Sequence, residues 1–408
     1  IAEGAALRSR LSVDRTGNEP DERPLIIINS CAVTSNAERE ARTAIRRARR
    51  ASPEARIVVT GCAAQINPDA FAAMGEVDRV LGNGEKLTPD AYSFDDDTAP
   101  RVQVASAASL TATAPQLLPA FDSHARAFLE VQNGCDHSCT FCIIPAGRGP
   151  SRSVSCSTII ETAKRLVDNG VREIVLTGVD LTSYCGPDRE TLATMIEKLF
   201  VAVPQLARLR LGSIDVAEID DALVNLLTDE VRLMPHIHLS LQHGDDMMLK
   251  RMKRRHTRAQ AIWLVETLLA RRPALSFGAD LIAGFPTEDD AAFEQSVALL
   301  EHCHIVHPHI FPYSPRQGTP AARMPQIDRA TVKQRAARLR AAGMARRNDW
   351  LAGQVGSADT MLVELDGLSG HLDNFAPIRL LEPALTNSVA AVDIIGLDEG
   401  RLIGKVAA

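Results

Sequence analysis

Three cysteines close together in the chain are the residues best suited to chemistry. Cys135, Cys139 and Cys142 follow a C-x3-C-x2-C spacing within VQNGCDHSCTFCIIPAGRGPSR, and Phe141 precedes the last of them. Three thiolates that converge from so short a loop can hold three corners of a [4Fe–4S] cluster. The fourth iron then lacks a protein ligand, and a metal with an open position can bind and activate a small molecule. The spacing therefore predicts a catalytic cluster rather than a structural one.

A structural zinc site is the main alternative interpretation of this triplet. Zinc is usually held by two close cysteine pairs, or by one such pair and two histidines. The chain has no second close pair, and its eight cysteines are scattered over 408 residues in a way that does not suggest a disulfide scaffold. The pattern favours iron–sulfur chemistry.

The triplet resembles the cluster motif of the radical S-adenosylmethionine (SAM) superfamily, in which an aromatic residue also precedes the third cysteine. The resemblance implies that Cys135, Cys139 and Cys142 bind a [4Fe–4S] cluster and are required for catalysis. In that superfamily the open iron chelates SAM, and one-electron reduction cleaves SAM to methionine and a 5′-deoxyadenosyl radical. It also implies an electron donor such as flavodoxin or ferredoxin as a partner.

Residues 1–85 are predicted to form a parallel α/β domain. Cys31 and Cys62 each come directly after a predicted strand, and the carboxyl ends of parallel strands meet at one edge of a sheet. We therefore expect the two thiols to lie near each other. The predicted strands and helix are Pro24–Asn29, the helix at 36–51, Arg56–Thr60 and Val77–Leu81.

The segments NSCAVT around Cys31 and TGCAAQ around Cys62 resemble the N-terminal domain of the methylthiotransferase branch of radical SAM enzymes. In that branch three strand-end cysteines bind an auxiliary [4Fe–4S] cluster, and Cys31 and Cys62 match the second and third. The first, in a motif like LGC-x-x-N, has no counterpart here. Because the chain also starts at Ile1 without methionine, we expect that its natural start is missing.

The middle of the chain divides into a predicted linker, 86–124, and a predicted radical SAM domain, 125–353. Residues 99–120 are mostly Ala, Ser, Thr and Pro, which is typical of a linker. Strands and helices then alternate, as in a partial (β/α)6 barrel whose reactive face is built from the loops after the strands. The predicted strands lie near 127–132, 172–176, 207–213, 236–241, 276–282 and 305–311, and the helices near 157–169, 190–202, 217–228, 246–271 and 289–302.

Four segments after these strands resemble the family motifs that surround SAM: TGVD, GSID, HLSLQHGDD and DLIAGFPTED. On residue type alone, their glycines would be turn residues, and His236 and His238 would be buried core residues. The resemblance implies cofactor-binding roles for Phe141, Gly178, Asp180, Ser213, Gln242 and Asp280.

Basic residues cluster in three stretches although the net charge of the chain is −6. Residues 36–56 hold seven arginines and three glutamates, whereas 248–258 and 332–347 each hold six Lys or Arg and no acid. Such stripes suit contact with an RNA backbone, and each could equally be a solvated helix face. The predicted RNA-binding residues are Arg46, Arg49, Lys250, Arg251, Lys253 and Arg254.

Residues 354–408 alternate short strands with Gly, Asp and Asn turns, which predicts a small β-barrel. The segment GHLDNFAPI resembles the core of the TRAM RNA-binding module of these enzymes. From Gly356 onward there are eight acids and three Lys or Arg, so any RNA contact by this module would use few basic side chains.

The predicted protein is thus a three-domain α/β enzyme. The family resemblance, with RGPSRS in a form found in the threonylcarbamoyladenosine-directed clade, implies methylthiolation at C2 of N6-threonylcarbamoyladenosine in tRNA. Isopentenyladenosine in tRNA or an aspartate of a ribosomal protein are alternative targets, and an RNA-binding or iron-sensing protein without transferase activity is an alternative of another class. No apolar run approaches the ~20 residues of a membrane helix, so we expect a soluble, cytoplasmic monomer.

Overall fold

The computed structural model describes residues 23–94, 98–110 and 125–407. Packing divides the chain into two units, and neither is continuous in sequence. The first unit contains residues up to 119, 133–152 and 314–323, and the second unit contains 120–132, 153–313 and 324–408. This grouping differs from the predicted consecutive domains, because the cysteine loop belongs with the N-terminal sheet.

A four-stranded parallel sheet in the order β1-β2-β3-β4 is the centre of the first unit. The strands are β1 Leu25–Ser30, β2 Arg56–Gly61, β3 Arg79–Leu81 and β4 Val102–Gln103. The helices are α1 Ser35–Ala51, α2 Cys62–Ile66, α3 Pro68–Ala72 and α4 Ile144–Arg148, and short 3-10 helices lie at Glu85–Leu87, Pro89–Tyr92, Ala107–Ser109 and Pro320–Arg323.

The apolar runs explain why this sheet forms. Ile57, Val58 and Val59 of β2 are fully buried, because a central parallel strand is covered on both faces. Helix α1 packs Ile45 into the same core, and the Thr34 side chain accepts a hydrogen bond from the Ala37 N–H to cap its start.

Part of the predicted linker, 86–124, belongs to the N-terminal sheet. β4 lies inside it and pairs in parallel with β3. A two-residue strand in an Ala- and Ser-rich stretch has too few residues to show periodicity. Residues 95–97 and 111–124 of the predicted linker lie outside the described residues.

The second unit is built on seven parallel strands in two sheets, β5-β8-β9 and β10-β11-β12-β13. These strands are β5 Arg126–Glu130, β8 Glu173–Thr177, β9 Arg208–Leu211, β10 Ser213–Ile214, β11 His236–Gln242, β12 Ser276–Ala283 and β13 Ile305–Pro312. Two short strands, β6 Gln132–Asn133 and β7 Arg152–Ser153, lie where the chain passes between the units.

Helices cover these strands and share one large apolar core with them. They are α5 Cys156–Asp168, α6 Leu192–Ala202, α7 Asp221–Asp229, α8 Asp246–Arg251, α9 Arg258–Arg271, α10 Asp290–His302 and α11 Arg329–Ala352, with 3-10 helices at Leu181–Ser183 and Val216–Glu218. The predicted α/β class is confirmed. The predicted single helix at 246–271 is two helices, because Lys253 takes a positive φ of 57° between them.

The C-terminal β-barrel is also confirmed, as a closed barrel in the order β14-β15-β16-β18-β17. Met361, Ile378 and Leu402 are fully buried in its core. One strand, β15, has the sequence SGHL, which contains no apolar run, so the alternation in the sequence does not locate it. The strands are β14 Ala358–Val363, β15 Ser369–Leu372, β16 Pro377–Leu380, β17 Val389–Asp398 and β18 Arg401–Val406.

A cluster of charges, here called the Glu173 cluster, lies at the amino-terminal ends of β5, β8 and β9. Glu173 Oε2 is 2.9 Å from Arg208 Nε and 3.0 Å from Arg210 Nε. Arg126 Nε lies 3.7 Å from Oε1 of the same carboxylate, whose side chain is 1% exposed. Burial alone would raise the pKa of Glu173, but the charges of the three arginines lower it to about 2. The carboxylate is therefore ionised and balances part of the positive charge.

The same arginines attach the small β-barrel to the parallel strands. Arg208 pairs with Asp373, and Arg210 donates hydrogen bonds of 2.8 Å to the carbonyl oxygens of Leu372 and Asp373. Arg126 and Arg208 are the first residues of their strands. The β-barrel therefore covers the amino-terminal ends of the parallel strands.

Phe375 completes this attachment. Its ring stacks on His236, the first residue of β11, and on His371, with centroids 4.8 and 4.6 Å apart. The Arg210 guanidinium lies 5.1 Å from the ring centroid, within cation–π range. The carbonyl oxygen of Asn374 accepts a 2.6 Å hydrogen bond from Ser276 Oγ at the start of β12.

We expect Glu173→Gln to destabilise the second unit by about 3–5 kcal/mol, because three buried guanidinium groups would lose the carboxylate that they share. Both tryptophans of the chain, Trp263 and Trp350, lie in this unit. Denaturant unfolding followed by tryptophan fluorescence therefore reports on it. Glu197→Gln on the exposed surface of α6 is the control and should stay within about 0.5 kcal/mol of the wild type. Equal stability of the two variants would contradict a structural role for the cluster.

Acid should weaken the attachment of the β-barrel to the parallel strands, because the folded structure disfavours protonation of the histidines there. Burial, with nearby positive charge, lowers the pKa of His307 and His371 to about 3 and that of His236 well below 6.5. Between pH 6.5 and 3 the unfolded chain therefore binds more protons than the folded one, so this stability is complete above pH 6.5 and falls as the pH drops.

The expected slope is about 1.4 kcal/mol per pH unit for each histidine. The measurement is the free energy of unfolding of metal-free protein between pH 7.5 and 5.5, by tryptophan fluorescence. His371→Gln should reduce the slope of the free energy of unfolding against pH by the contribution of about one proton. A stability that does not change over this range would contradict the prediction.

Candidate active site

The cysteine loop is closed at its base by backbone contacts within the first unit. Gly134 has φ +74°, and a Cβ there would lie 1.9 Å from the Pro150 carbonyl oxygen, so only glycine fits. The Cys135 N–H donates to the Gly149 carbonyl at 3.1 Å, and Asp136 Oδ1 accepts from the Ser151 N–H at 2.9 Å. The loop therefore begins and ends at one fixed point.

The three thiols of this loop suit iron–sulfur ligation. All eight cysteines lie in the described part of the chain, and none forms a disulfide. Cys135, Cys139 and Cys142 are half-buried. The Cys135 sulfur accepts the His137 N–H at 3.4 Å, and the Cys142 sulfur accepts the Ile144 N–H at 3.4 Å. Amide donors directed at cysteine sulfur stabilise a thiolate, which is the form that binds iron.

Cys31 and Cys62 lie at the carboxyl edge of the N-terminal sheet, as predicted. β1 and β2 run in parallel with Ser30 opposite Gly61, so the two cysteines follow adjacent strand ends. The exposed Cys31 sulfur accepts the Val33 N–H at 3.5 Å. Cys62 is 6% exposed, and its sulfur accepts from Arg148 Nε at 3.0 Å. Both sulfurs accept hydrogen bonds, as the sulfurs of the cysteine loop do, and both therefore suit the binding of a cluster.

In the second unit, the segment after β8 is fixed by a buried glutamine. Gln132 Oε1 accepts the Asp180 N–H at 2.8 Å, and a Cβ on Gly178 would lie 3.0 Å from the same oxygen. Asp180 Oδ2 accepts from Ser183 Oγ at 2.5 Å. Gly178 and Asp180, both predicted cofactor-binding residues, are half-buried at the carboxyl end of this strand.

Acid–arginine pairs hold the next strand end. Asp215, after β10, is buried and lies 2.7 Å from Arg254 Nη2, which also donates to the Ser240 carbonyl. Glu218 pairs with Arg255 at 2.7 Å. Ser213, a predicted cofactor-binding residue, is exposed at the start of β10.

The turn after β12 depends on Glu288, a buried glutamate of the DLIAGFPTED segment that was not predicted as a site residue. Glu288 accepts the Gly284 N–H at 3.1 Å, lies 2.9 Å from His243 Nε2 and pairs with Arg335 Nη1 at 2.8 Å. Its side chain is 0% exposed. Gln242, a predicted cofactor-binding residue directly before His243, is half-buried with a positive φ of 68°.

Asp280 is placed beside two histidines of neighbouring strands. Its Oδ1 lies 3.1 Å from His238 Nε2 and 3.4 Å from His309 Nδ1. Burial would raise the pKa of Asp280, but the hydrogen bonds with both histidines lower it to about 2. Sequence reasoning missed His309, because its partners come from strands far apart in the chain. Phe141, the remaining predicted cofactor-binding residue, is half-buried in the cysteine loop of the first unit.

The predicted RNA-binding residues differ in their surroundings. The side chain of Arg46 is 57% exposed, and the side chains of Lys250 and Lys253 are exposed on and after α8. Arg251 donates to Thr287 Oγ1 at 2.5 Å. The side chain of Arg254 is 8% exposed and bound to Asp215.

Arg49 is also engaged within the protein. Its guanidinium donates to the carbonyl oxygens of Pro53, Ala55 and Glu76 and pairs with Asp78 at 2.7 Å. Arg49 and Arg254 therefore bind groups of the protein itself. A count of charges in the sequence does not show this.

The helices that the structure describes include none that is long and apolar enough to cross a membrane.

Two family models match the chain. The model of the radical SAM superfamily matches residues 129–300, and a model described as uncharacterized protein family UPF0004 matches residues 7–82. The first match contains the three-cysteine loop, and the second contains Cys31 and Cys62.

A solved structure and two curated relatives are similar to the chain. The radical SAM methyltransferase TsrM from Kitasatospora setae, with cobalamin and a [4Fe–4S] cluster, shares the fold with a TM-score of 0.56 at 16% identity, over 78% of this chain and 68% of that one. The tRNA-2-methylthio-N(6)-dimethylallyladenosine synthase of Erythrobacter litoralis is 32% identical over 87% of this chain and 82% of its own length. The threonylcarbamoyladenosine tRNA methylthiotransferase MtaB of Rickettsia prowazekii is 44% identical over 98% of this chain and 94% of its own length.

With this identity along nearly its whole length, the chain belongs to the threonylcarbamoyladenosine tRNA methylthiotransferase family within the radical SAM superfamily.

Proposed function

We propose that this protein is a cytoplasmic radical SAM enzyme that adds a methylthio group to C2 of N6-threonylcarbamoyladenosine in tRNA. The observation that carries the proposal is the near full-length relationship to the Rickettsia enzyme, in a chain that keeps the three-cysteine loop. The substrate is an RNA, an electron donor such as flavodoxin or ferredoxin supplies the reducing electron, and the protein acts as a monomer.

Cys135, Cys139 and Cys142 hold the catalytic [4Fe–4S] cluster in this proposal, and Cys31 and Cys62 hold part of an auxiliary one. Cofactor-binding roles are proposed for Phe141 in the first unit and for five residues of the second unit: Gly178, Asp180, Ser213, Gln242 and Asp280. When bound, the cluster and SAM supply the radical chemistry that an unactivated aromatic C–H bond requires.

The protein's own part is to position groups and to exclude water. The β-barrel, with Phe375 and His236, covers the amino-terminal ends of the strands, so substrate must enter at the carboxyl ends. At those ends the pairs of Asp215 with Arg254 and of Glu288 with Arg335 keep the loops in one conformation. A preformed site of this kind reduces the entropy lost on binding.

The activity is tested in a bacterial host whose own gene for this enzyme is deleted, by mass spectrometry of tRNA nucleosides. The complete gene product should restore the methylthio group on threonylcarbamoyladenosine. Cys135→Ala, Cys139→Ala or Cys142→Ala should restore none, because each removes a cluster ligand, and purified protein should yield no 5′-deoxyadenosine. Cys156→Ala, a buried cysteine of α5, is the control and should restore modification.

Other products would redirect the assignment. A methylthio group on isopentenyladenosine would favour the activity named for the Erythrobacter relative. A mass change on a ribosomal protein with unmodified tRNA would place the target on protein. Cleavage of SAM by any one of the three cysteine variants would contradict the assigned cluster ligands.

Exposed lysines at α8 should contribute to tRNA affinity by neutralising phosphates. We expect Lys250→Gln with Lys253→Gln to weaken tRNA binding and to reduce the slope of log affinity against log salt by about 0.7–0.9 for each phosphate that is no longer neutralised. SAM cleavage without tRNA should not change. The control is Lys164→Gln with Arg165→Gln on the exposed face of α5. Equal salt slopes for the two double variants would exclude α8 from the RNA surface.

A further inference from the structure

Arg148 lies in a basic segment of the chain, yet its side chain is directed at a cysteine. Its Nε donates a 3.0 Å hydrogen bond to the sulfur of Cys62, which is 6% exposed. Its carbonyl oxygen accepts from Arg152 Nη1 at 2.8 Å. The guanidinium therefore acts inside the first unit.

Contacts of the neighbouring backbone fix the position of Arg148. A Cβ on Gly147 would lie 3.1 Å from Cys62 Cβ and 3.3 Å from Ile66 Cδ1, so glycine permits a close approach that a side chain would crowd. The Gly147 carbonyl accepts a 2.6 Å hydrogen bond from Asn83 Nδ2, and the Gly149 N–H donates to the carbonyl of Pro145. Helix α4 is therefore fixed against α2, with Arg148 as its last residue.

A second cation lies behind Asn83. The amide nitrogen of Asn83 is 3.9 Å from the Cys62 sulfur, and its Oδ1 accepts from Lys86 Nζ at 2.7 Å. Lys86 is 3% exposed, so its charge is only weakly screened by water. Cys31, in contrast, is exposed and accepts a backbone N–H. Two cationic side chains, Arg148 and Lys86, thus lie on the Cys62 side of the pair.

The charge near an iron–sulfur cluster and the hydrogen bonds to its sulfurs set its reduction potential. A cation that donates to a ligand sulfur stabilises the more negative, reduced state. We propose that Arg148 is a positioning residue for the auxiliary cluster, and that its charge on the Cys62 sulfur raises the reduction potential of that cluster. This inference rests on the proposed auxiliary site at Cys31 and Cys62.

The same segment also carries the catalytic thiols. Cys135 closes its loop on Gly149, the residue after Arg148, with a 3.1 Å hydrogen bond. The segment 135–149 therefore holds three cysteines in its first half and the donor to Cys62 at its end. Arg148 ties the position of the Cys62 sulfur to that of the catalytic loop within the first unit.

The test uses the complete gene product with both clusters reconstituted. Wild type should contain about eight irons per chain and Cys62→Ala about four. Arg148→Gln should keep its iron, while an EPR-monitored redox titration shows the auxiliary cluster at least tenfold less reduced at a fixed potential. Tenfold corresponds to about 59 mV for one electron. Arg148→Lys, which keeps the charge, should remain near the wild-type potential, as should Arg47→Gln on the exposed face of α1.

The outcomes are distinguishable. Wild-type potentials in both Arg148 variants, with full iron and transferase activity, would overturn this inference alone. Loss of iron in both variants without a shift in the remaining cluster would show a merely structural role and would also overturn it. A reduced salt slope of tRNA binding in Arg148→Gln, with no change in potential, would assign the arginine to RNA instead. Unchanged iron in Cys62→Ala would exclude Cys62 as a cluster ligand. The proposed auxiliary site and the role of Arg148 would then both be wrong.

Discussion

The buried carboxylate of Glu173 is the interaction on which the second unit depends. Three arginines lie at or near the starts of neighbouring strands, and without a counter-charge they could not be buried together. Two of them, Arg208 and Arg210, also bind residues 372 and 373 of the C-terminal β-barrel. One ion cluster therefore closes the amino-terminal ends of the parallel strands and attaches a second domain to them. In parallel α/β folds the functional residues generally lie at the opposite, carboxyl ends of the strands.

Arginines at the opposite ends of the strands are used in a similar way. Arg254 pairs with buried Asp215, and Arg335 pairs with Glu288, which also binds the backbone of the turn at Gly284. A loop fixed by a buried ion pair loses little entropy when a ligand binds. Part of the basic composition that suggests RNA contact therefore serves to hold the site in shape. The exposed Lys250 and Lys253 are better placed to meet a phosphate backbone.

The sequence predicted what depends on local pattern. Apolar runs located the long strands, and the spacing of Cys135, Cys139 and Cys142 singled out a loop that the radical SAM family model also covers. It did not predict β4 or β15, which are too short or too polar to show periodicity. It also missed Glu173, His309 and Arg148. Each of these acts through partners that are distant in the chain, so only the folded structure brings them together.

The first unit is discontinuous in sequence, but it contains Cys31, Cys62 and the three cysteines of the loop. The Thr140 carbonyl in the cysteine loop accepts the Ala321 N–H at 2.9 Å, and Arg316, in the same returning segment, pairs with Glu38 of α1 at 2.8 Å. Burial would raise the pKa of Glu38, but Arg316 and Arg42 lower it, so the pair is charged at neutral pH. The chain thus returns near residue 320 to fasten the loop to the N-terminal sheet. Because Cys31, Cys62 and the three loop cysteines belong to one packed unit, the distance between the two thiol sets is fixed by that unit alone. The returning segment is the part of the sequence that holds the cysteine loop in this position.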